Sequence, residues 1–454
     1  MGLTKQLAEL IARTNYSSFP QETLKKTKLC ILDLIGAGLA GSQLKWSKIL
    51  SRYYARQRGS GRSTVWGNKF QSNIEASSLI NGAFSHGFEL DDTHSGSLIH
   101  PGAVIIPAAM ACAEKEKCSG KKLIEAIILG YEAMCRIGMV VANRIPESGL
   151  HPPGVFGSFG SASAVGKILG LNVQEMAHAL GIAGSQCGGL MEFLEEGSMT
   201  KRFHAGRSAQ SGLISAYLAR DGFTGPTTVL EGKSGFFKAY FNVKSGFEDA
   251  FRDLGKDYVI SSVGFKPYAC CRILHPAIEA LIDIKRKNKL LKNDIDNILV
   301  SGHRAIVEAE RQVAVPRNEL QAQITIPYPI AVAFIEESAG FKEFQEESIK
   351  RADIAELARR VRTELDSEID ALFPKRFAGR VTVFTRDGRQ ITKMIEFPKG
   401  EPENPMSESE LQEKFMSLST TVLTKKRANK ILESVYAIDE VSDVSKFCAL
   451  LGKG

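Results

Sequence analysis

The sequence predicts a mainly helical fold with a small α+β domain inserted toward its C-terminal end, and three observations carry that expectation. From Lys5 to about Gly222 apolar residues recur at helical spacing, as do Leu123, Ile124, Ile127, Ile128, Tyr131 and Met134 in the 121–143 segment. No convincing strand pattern precedes about residue 258. After about Val263 the texture changes to alternating, β-branched segments, and a helical pattern returns at Ser407.

Residues 1–264 are read as the first part of a helical domain. Its segments 157–170, 177–189 and 206–222 are rich in Gly, Ala and Ser. Gly inside a helix costs about 1 kcal/mol relative to Ala, so this composition points to close approach of helix on helix or helix on ligand. Residues 265–400 are read as the α+β domain. Within it, 296–305 reads as a strand, 348–365 as a charged amphipathic helix, and 379–396 as a hairpin turning at Asp387-Gly388. The stretch 398–405 (PKGEPENP) reads as a linker. Residues 401–454 then supply the C-terminal part of the helical domain, with Ser409, Glu413 and Lys414 at a helix start. Those last helices are too short to hold a core alone and are expected to pack back on the first part.

Composition narrows the function classes. The chain has 454 residues, 43% hydrophobic and 24% charged, too long for one core and ordinary for a soluble protein. Its eight cysteines never form a CxxC pair, which argues for reduced thiols in a cytoplasmic setting and against a zinc ribbon. The amphipathic N-terminus lacks the features of a signal peptide, and apolar runs break before the roughly 20 residues of a membrane span. Lys and Arg number 58 against 51 Asp and Glu, spread along the chain. That dispersion argues against nucleic acid and for a mild positive field around a small acidic substrate.

Four clusters carry potential chemistry. The first is Phe88-Glu89-Leu90-Asp91-Asp92-Thr93-His94 with His100-Pro101-Gly102, which puts three carboxylates and two imidazoles in one stretch, although Asp91 and Asp92 also suit a helix cap. The second is Gly149 to Gly154, where His151 precedes two prolines that stiffen a turn before a Gly-rich helix. In the third, Met199 to Arg207, Lys201, Arg202, His204 and Arg207 stand at a helix start and suit carboxylates. The fourth, Gly264 to His275, adds Lys266, Arg272 and His275 at the junction of the two domains, where ligand sites concentrate. Cys270 and Cys271 flank this presumed site, so thiol alkylation is expected to act through one of them. Tyr328 is a further phenolic donor, though such tyrosines are mostly structural. His178 and His303 lie in no cluster and read as structural. No phosphate loop, GxSxG elbow, GxGxxG turn or familiar metal-ligand spacing occurs, so neither a metal nor a cofactor is expected.

At these clusters the sequence resembles the MmgE/PrpD family, whose members include 2-methylcitrate dehydratase, cis-aconitate decarboxylase and iminodisuccinate epimerase. The matching pieces span nearly the whole chain in the family's order: HGFELDDTHSGSLIHPGAVIIPAA, HPPGVFGSFGSASA, GSMTKRFHAGRSAQSGLISAYLARDGFTGP, GFKPYACCRILHPAIEAL and ITIPYPIAVA. The resemblance implies a large all-helical domain from both chain ends, a smaller inserted α+β lid, a homodimer, and cofactor-free chemistry on a small di- or tricarboxylate. It places the catalytic acidic position on Glu89, where relatives often carry Asp, and the threonine on Thr93. Its histidines fall on His100 and His151, its lysine on Lys201, and its lid histidine and tyrosine on His275 and Tyr328. Together with the residue reading, this assigns His100, His151, Glu89, Lys201 and Tyr328 to catalysis. Asp92, Thr93, His204, Arg207, Lys266, Arg272 and His275 are assigned to substrate binding. The activity expected first is a hydro-lyase of the 2-methylcitrate dehydratase type, by proton abstraction beside a carboxylate. Decarboxylation of cis-aconitate and epimerisation of an iminodicarboxylate are the alternatives on the same scaffold, and a catalytically silent carboxylate-binding protein is the rival outside enzymes.

Overall fold

A computed structural model describes residues 2–57, 61–308, 311–373 and 375–453. Long apolar helices dominate its first part: Gln21–Gly41, Ile74–Ser85, Gly102–Glu116, Gly120–Val140, Pro152–Leu169 and Thr200–Arg220. Side-chain caps start several of them, Asn73 accepting from the Ala76 N–H and Ser119 from the Lys122 N–H. Most of their buried faces share one core that includes Ile31, Ile105, Ile127, Phe159 and Leu213, while Leu79, Ile80 and Phe84 of Ile74–Ser85 form a smaller cluster with Val65. Phe415, Ile431 and Leu451 from the chain's last helices enter the same core, as their short length predicts.

Small residues set how closely these helices pack. A Cβ at Gly206 would lie 2.2 Å from the Leu79 carbonyl oxygen, and one at Gly212 would sit 2.4 Å from the Ala162 amide nitrogen. Glycine is therefore required where Thr200–Arg220 crosses Ile74–Ser85 and Pro152–Leu169. The crossing carries Lys201, at the start of one helix, toward the segment that leaves the other.

The second part holds a four-stranded mixed sheet, ordered β4-β3-β5-β6 and formed by β3 (Ile295–Gly302), β4 (Val361–Leu365), β5 (Gly379–Thr385) and β6 (Gln390–Ile395). β3 runs parallel to β4 and antiparallel to β5, and β5–β6 is the expected hairpin, with Gly388 at φ +87° in its turn. Val300, Val381 and Val383 face a second core with Ile278 and Leu281 of helix His275–Asn288 and with Ile330 and Phe334 of helix Pro327–Glu336. Trp46, Phe88 and Leu90 of the helical part also enter this core.

Three expectations are corrected. Two short strands do precede residue 258, since β1 (Ser63–Thr64) and β2 (Gln71–Ser72) pair antiparallel. The 348–365 stretch is not one helix: it breaks after Ala352–Ala358 and ends as β4, because Val361-Arg362-Thr363 finds a parallel partner in β3. The C-terminal helix Glu408–Ser419 is opened by a capping box of Ser407 and Glu410, not by Ser409. No helix among the described residues is long and apolar enough to cross a membrane.

The two parts are tied where they meet. Thr93 and Gly264 exchange both backbone hydrogen bonds, at 2.9 and 2.7 Å, and the Phe265 N–H donates to the Gly400 carbonyl at 2.8 Å. These bonds align the 86–100 segment with the 263–275 segment, and both segments line one cavity.

Candidate functional site

That cavity, about 250 Å³, is lined by Glu89, Thr93, His100, His151, Lys201, Lys266 and Arg272 together with Cys271, His303 and Arg311. All four sequence clusters therefore contribute to it. Glu89, in the bend after helix Ile74–Ser85, adopts φ +57°, a left-handed conformation uncommon for a residue with a side chain, and turns its carboxylate between two ammonium groups. One oxygen takes Lys266 Nζ at 3.0 Å and the other pairs with Lys201. All three residues are buried, Lys266 to 1% exposure. Two cations share one carboxylate, and burial pushes both ammonium groups below the ordinary lysine range, Lys201 furthest. A second carboxylate entering here meets uncompensated positive charge.

His100 stands beside this clamp. Its Nδ1 lies 2.9 Å from the Asp92 carbonyl oxygen, which can only accept, so Nδ1 carries the proton and Nε2 keeps a lone pair. Burial first, then the Lys266 charge, lowers its pKa to about 4, so the imidazole is neutral near pH 7. His151 caps the helix Pro152–Leu169, with its backbone N–H on the Gly189 carbonyl and its Nδ1 3.0 Å from His204 Nδ1. Burial and three neighbouring imidazoles, His86, His204 and His100, hold His151 well below its ordinary value. Desolvation, ahead of the neighbouring charges, is what keeps both imidazoles neutral.

Sequence reasoning missed the histidine that joins these two. His86 is fully buried, its Nδ1 2.7 Å from Asp91 Oδ2, with ring centroids 5.1 Å from His100 and 5.5 Å from His151. It heads the same run as Glu89, which was the available signal. His86, Asp91 and His100 are also the group among the described residues whose ligand atoms lie close enough, within 4.8 Å, to hold a metal ion. His86 and Asp91 already bond to each other there, and His100 Nδ1 bonds to a carbonyl.

The far wall comes from the sheet part. Arg272 is held by Glu401, with Nε 2.7 Å from Oε1, and by His275, whose Nδ1 accepts from Nη1 at 2.9 Å. His303 lines the cavity, contrary to the expectation of a purely structural histidine, stacked on Phe373 at 4.4 Å between centroids. Its Nδ1 accepts from the Ala305 N–H, so Nε2 carries hydrogen, and that buried donor has no partner. Arg311, also missed, reaches the same wall.

Several assignments are corrected. Tyr328 does not reach the cavity: its hydroxyl donates to the Glu343 carbonyl at 2.6 Å and its ring packs near Phe344 in the second core. Asp92 points away, accepting from Tyr131 at 2.6 Å and from the Gly102 N–H at 2.9 Å, with burial raising its pKa to about 7. It anchors the helix behind the site. Arg207 is exposed and bonds Gln210 in a neighbouring groove of about 570 Å³, and His204 lines that groove and reaches the cavity only through His151. His275 positions Arg272 and does not line the cavity, because the guanidinium covers it.

The arrangement can seat two or more carboxylates on Lys201, Lys266, Arg272 and the His303 donor while neutral imidazoles face the bound molecule. Comparison with known proteins fits that chemistry. Residues 5–247 match the MmgE/PrpD N-terminal domain and residues 268–439 the MmgE/PrpD C-terminal domain. The chain is 29% identical to a cis-aconitate decarboxylase of Aspergillus terreus, over 99% of this chain and 96% of that protein. It is 29% identical to the cis-aconitate decarboxylase-like protein oryM of Aspergillus oryzae and 26% identical to the Homo sapiens cis-aconitate decarboxylase, again over 99% of this chain and over 97% and 94% of theirs.

Proposed function

Because the chain belongs to the MmgE/PrpD family, we propose that it is a carboxy-lyase acting on cis-aconitate or a closely similar unsaturated tricarboxylate. The observation that carries the reading is the Glu89 carboxylate clamped between Lys201 and Lys266 beside the free Nε2 of His100. Relatives named as decarboxylases, matched over nearly their whole lengths, favour decarboxylation over the dehydration expected first.

Loss of CO2 leaves an electron pair on carbon, which must be spread onto the remaining carboxylates and then receive a proton. Lys201, Lys266 and Arg272 hold those carboxylates. Buried ammonium groups with lowered pKa are strong enough acids to deliver the proton, and the amine left behind takes one back from solvent, relayed by the lone pair on His100 Nε2. His151, bonded to His204, supplies a second neutral imidazole on the same side. We also propose the division into 1–264 plus 401–454 and a 265–400 lid, supported by the two separate cores and by a cavity between them.

The test is turnover of the purified chain with cis-aconitate, 2-methylcitrate, citrate and iminodisuccinate, followed by CO2 release and proton NMR. CO2 with a dicarboxylate product from cis-aconitate is expected. Loss of water from 2-methylcitrate without CO2 from cis-aconitate would replace this reading with the hydro-lyase, and no turnover of any would leave a binding protein.

A further inference from the structure

Seven of the eight cysteines are chemically quiet. Burial pushes the thiols of Cys30, Cys112, Cys118, Cys135, Cys187, Cys270 and Cys448 upward, Cys112 and Cys118 to about 12. Cys271 differs from its neighbour Cys270 in every respect that governs reactivity. Cys270 is fully buried in the second core, whereas Cys271 is partly exposed and lines the cavity. Its backbone is fixed by an N–H bond to the Gln323 carbonyl at 2.9 Å, and Arg311 Nη1 approaches Sγ at 3.9 Å. Arg311 is itself aimed by Glu308 and by the Ile324 carbonyl. Burial alone would raise this thiol, but Arg311, Lys266, the Ile273 N–H and Lys201 together bring it below the ordinary cysteine value.

The same cavity has a separate mark of an anion site. His303, 4% exposed, lines the cavity, and its Nε2 hydrogen has no acceptor. The buried Thr93 hydroxyl, on the facing segment, is likewise unpartnered. A thiolate-prone sulfur thus sits among donors and cations that draw carboxylates in.

We propose that Cys271 is a modification site for small anionic electrophiles, carboxylates that carry an electrophilic carbon next to the carboxylate group, which the cavity's cations deliver to Sγ. With a haloacetate the step is a displacement: the sulfur electron pair forms a C–S bond, the carbon–halogen bond breaks, halide leaves with its pair, and the thiol proton passes to solvent. The alkylated sulfur then blocks the Lys266 and Arg272 side of the cavity.

Iodoacetate and its neutral isostere iodoacetamide test this on the full-length chain, with every thiol followed by peptide mass spectrometry. The ratio of iodoacetate to iodoacetamide labelling rates should be higher at Cys271 than at the partly exposed Cys118 and Cys187 by about tenfold or more, the size of electrostatic focusing in a cleft. Tricarballylate, a saturated tricarboxylate, should protect Cys271, and added salt should shrink the ratio. Arg311→Gln should lower it, and Cys271→Ser should remove this label alone. A ratio at Cys271 no higher than at the reference thiols, or one indifferent to both salt and tricarballylate, overturns the proposal. Labelling preference without turnover of cis-aconitate would sink only the decarboxylase reading, and turnover without preference would sink only this one.

Discussion

The two walls of the cavity differ in what they offer. The helical wall presents imidazoles, a carboxylate and one ammonium group: His86, His100 and His151 with Glu89 and Lys201. The sheet wall presents permanent or readily formed charge: Lys266, Arg272 and Arg311, with Cys271 and His303. The imidazoles are held neutral by burial, and the cations are held in place by hydrogen bonds to Glu89, Glu401 and Glu308. The imidazoles serve proton transfer and the cations, Lys201 of the helical wall among them, grip carboxylates, so damage to each set should leave a different kinetic signature.

The sharpest break comes from the helical wall. His100→Asn and His151→Asn should each lower kcat by about 10² to 10⁴ while keeping the melting temperature near that of the parent, the usual worth of a positioned acid or base. His178→Asn is the matched control, since His178 lies away from the cavity with Nδ1 near the Gly225 carbonyl. An equal loss in that control would place the proton chemistry elsewhere.

Acid titration probes the same wall without mutation. The acid limb of kcat/KM should fall near pH 4, the value to which burial lowers His100, and not near 6.5. Stability moves in the same sense: His94, His100 and His303, all lowered to about 4, bind protons in the unfolded chain first. Their contribution is complete above about pH 6.5 and is lost as pH falls toward 4. An acid limb at 6.5 in protein still folded by circular dichroism would mean that His100 is solvated in the working enzyme.

Smaller effects are expected on the gripping side. Lys201→Ala should reduce kcat/KM by about ten- to a hundredfold or more, since a charge-assisted contact to a carboxylate is worth roughly 1.5 to 3 kcal/mol. His303→Asn should cost about three- to tenfold in kcat/KM, the worth of one neutral hydrogen bond. Isothermal titration with tricarballylate should show both losses as weaker binding. Tyr328→Phe, at the low end, should leave kcat unchanged and cost only about 0.5 to 1.5 kcal/mol of stability in a urea melt. A tenfold drop in kcat there would return Tyr328 to the site.

Residues that cluster along the chain were legible, and those that cluster only in space were not. Glu89, His100, His151, Lys201 and Lys266 stand in dense polar runs whose composition signals chemistry, and the structure brings them to one cavity. His303 stands alone just after β3, and Arg311 follows eight positions later in the sequence, so neither carries a local signal. Tyr328 misled for a different reason: the resemblance assigns it to the site, whereas Pro327 and Tyr328 start a core helix. The helix expected over 348–365 failed similarly, because charge alternation there masks a strand whose partner, β3, is some 60 residues away.

The Glu401 carboxylate receives Ser95 Oγ at 3.0 Å and Arg272 Nε at 2.7 Å, joining points 306 and 129 residues apart. Such a joint cannot close while the chain is still being made up to that point. The pocket is therefore among the last features to form during folding, after its high-separation loops have been brought together. Binding competence then reports on completion of the chain through Glu401, and a truncation before that residue should yield a protein that retains helix content yet has no anion pocket to fill.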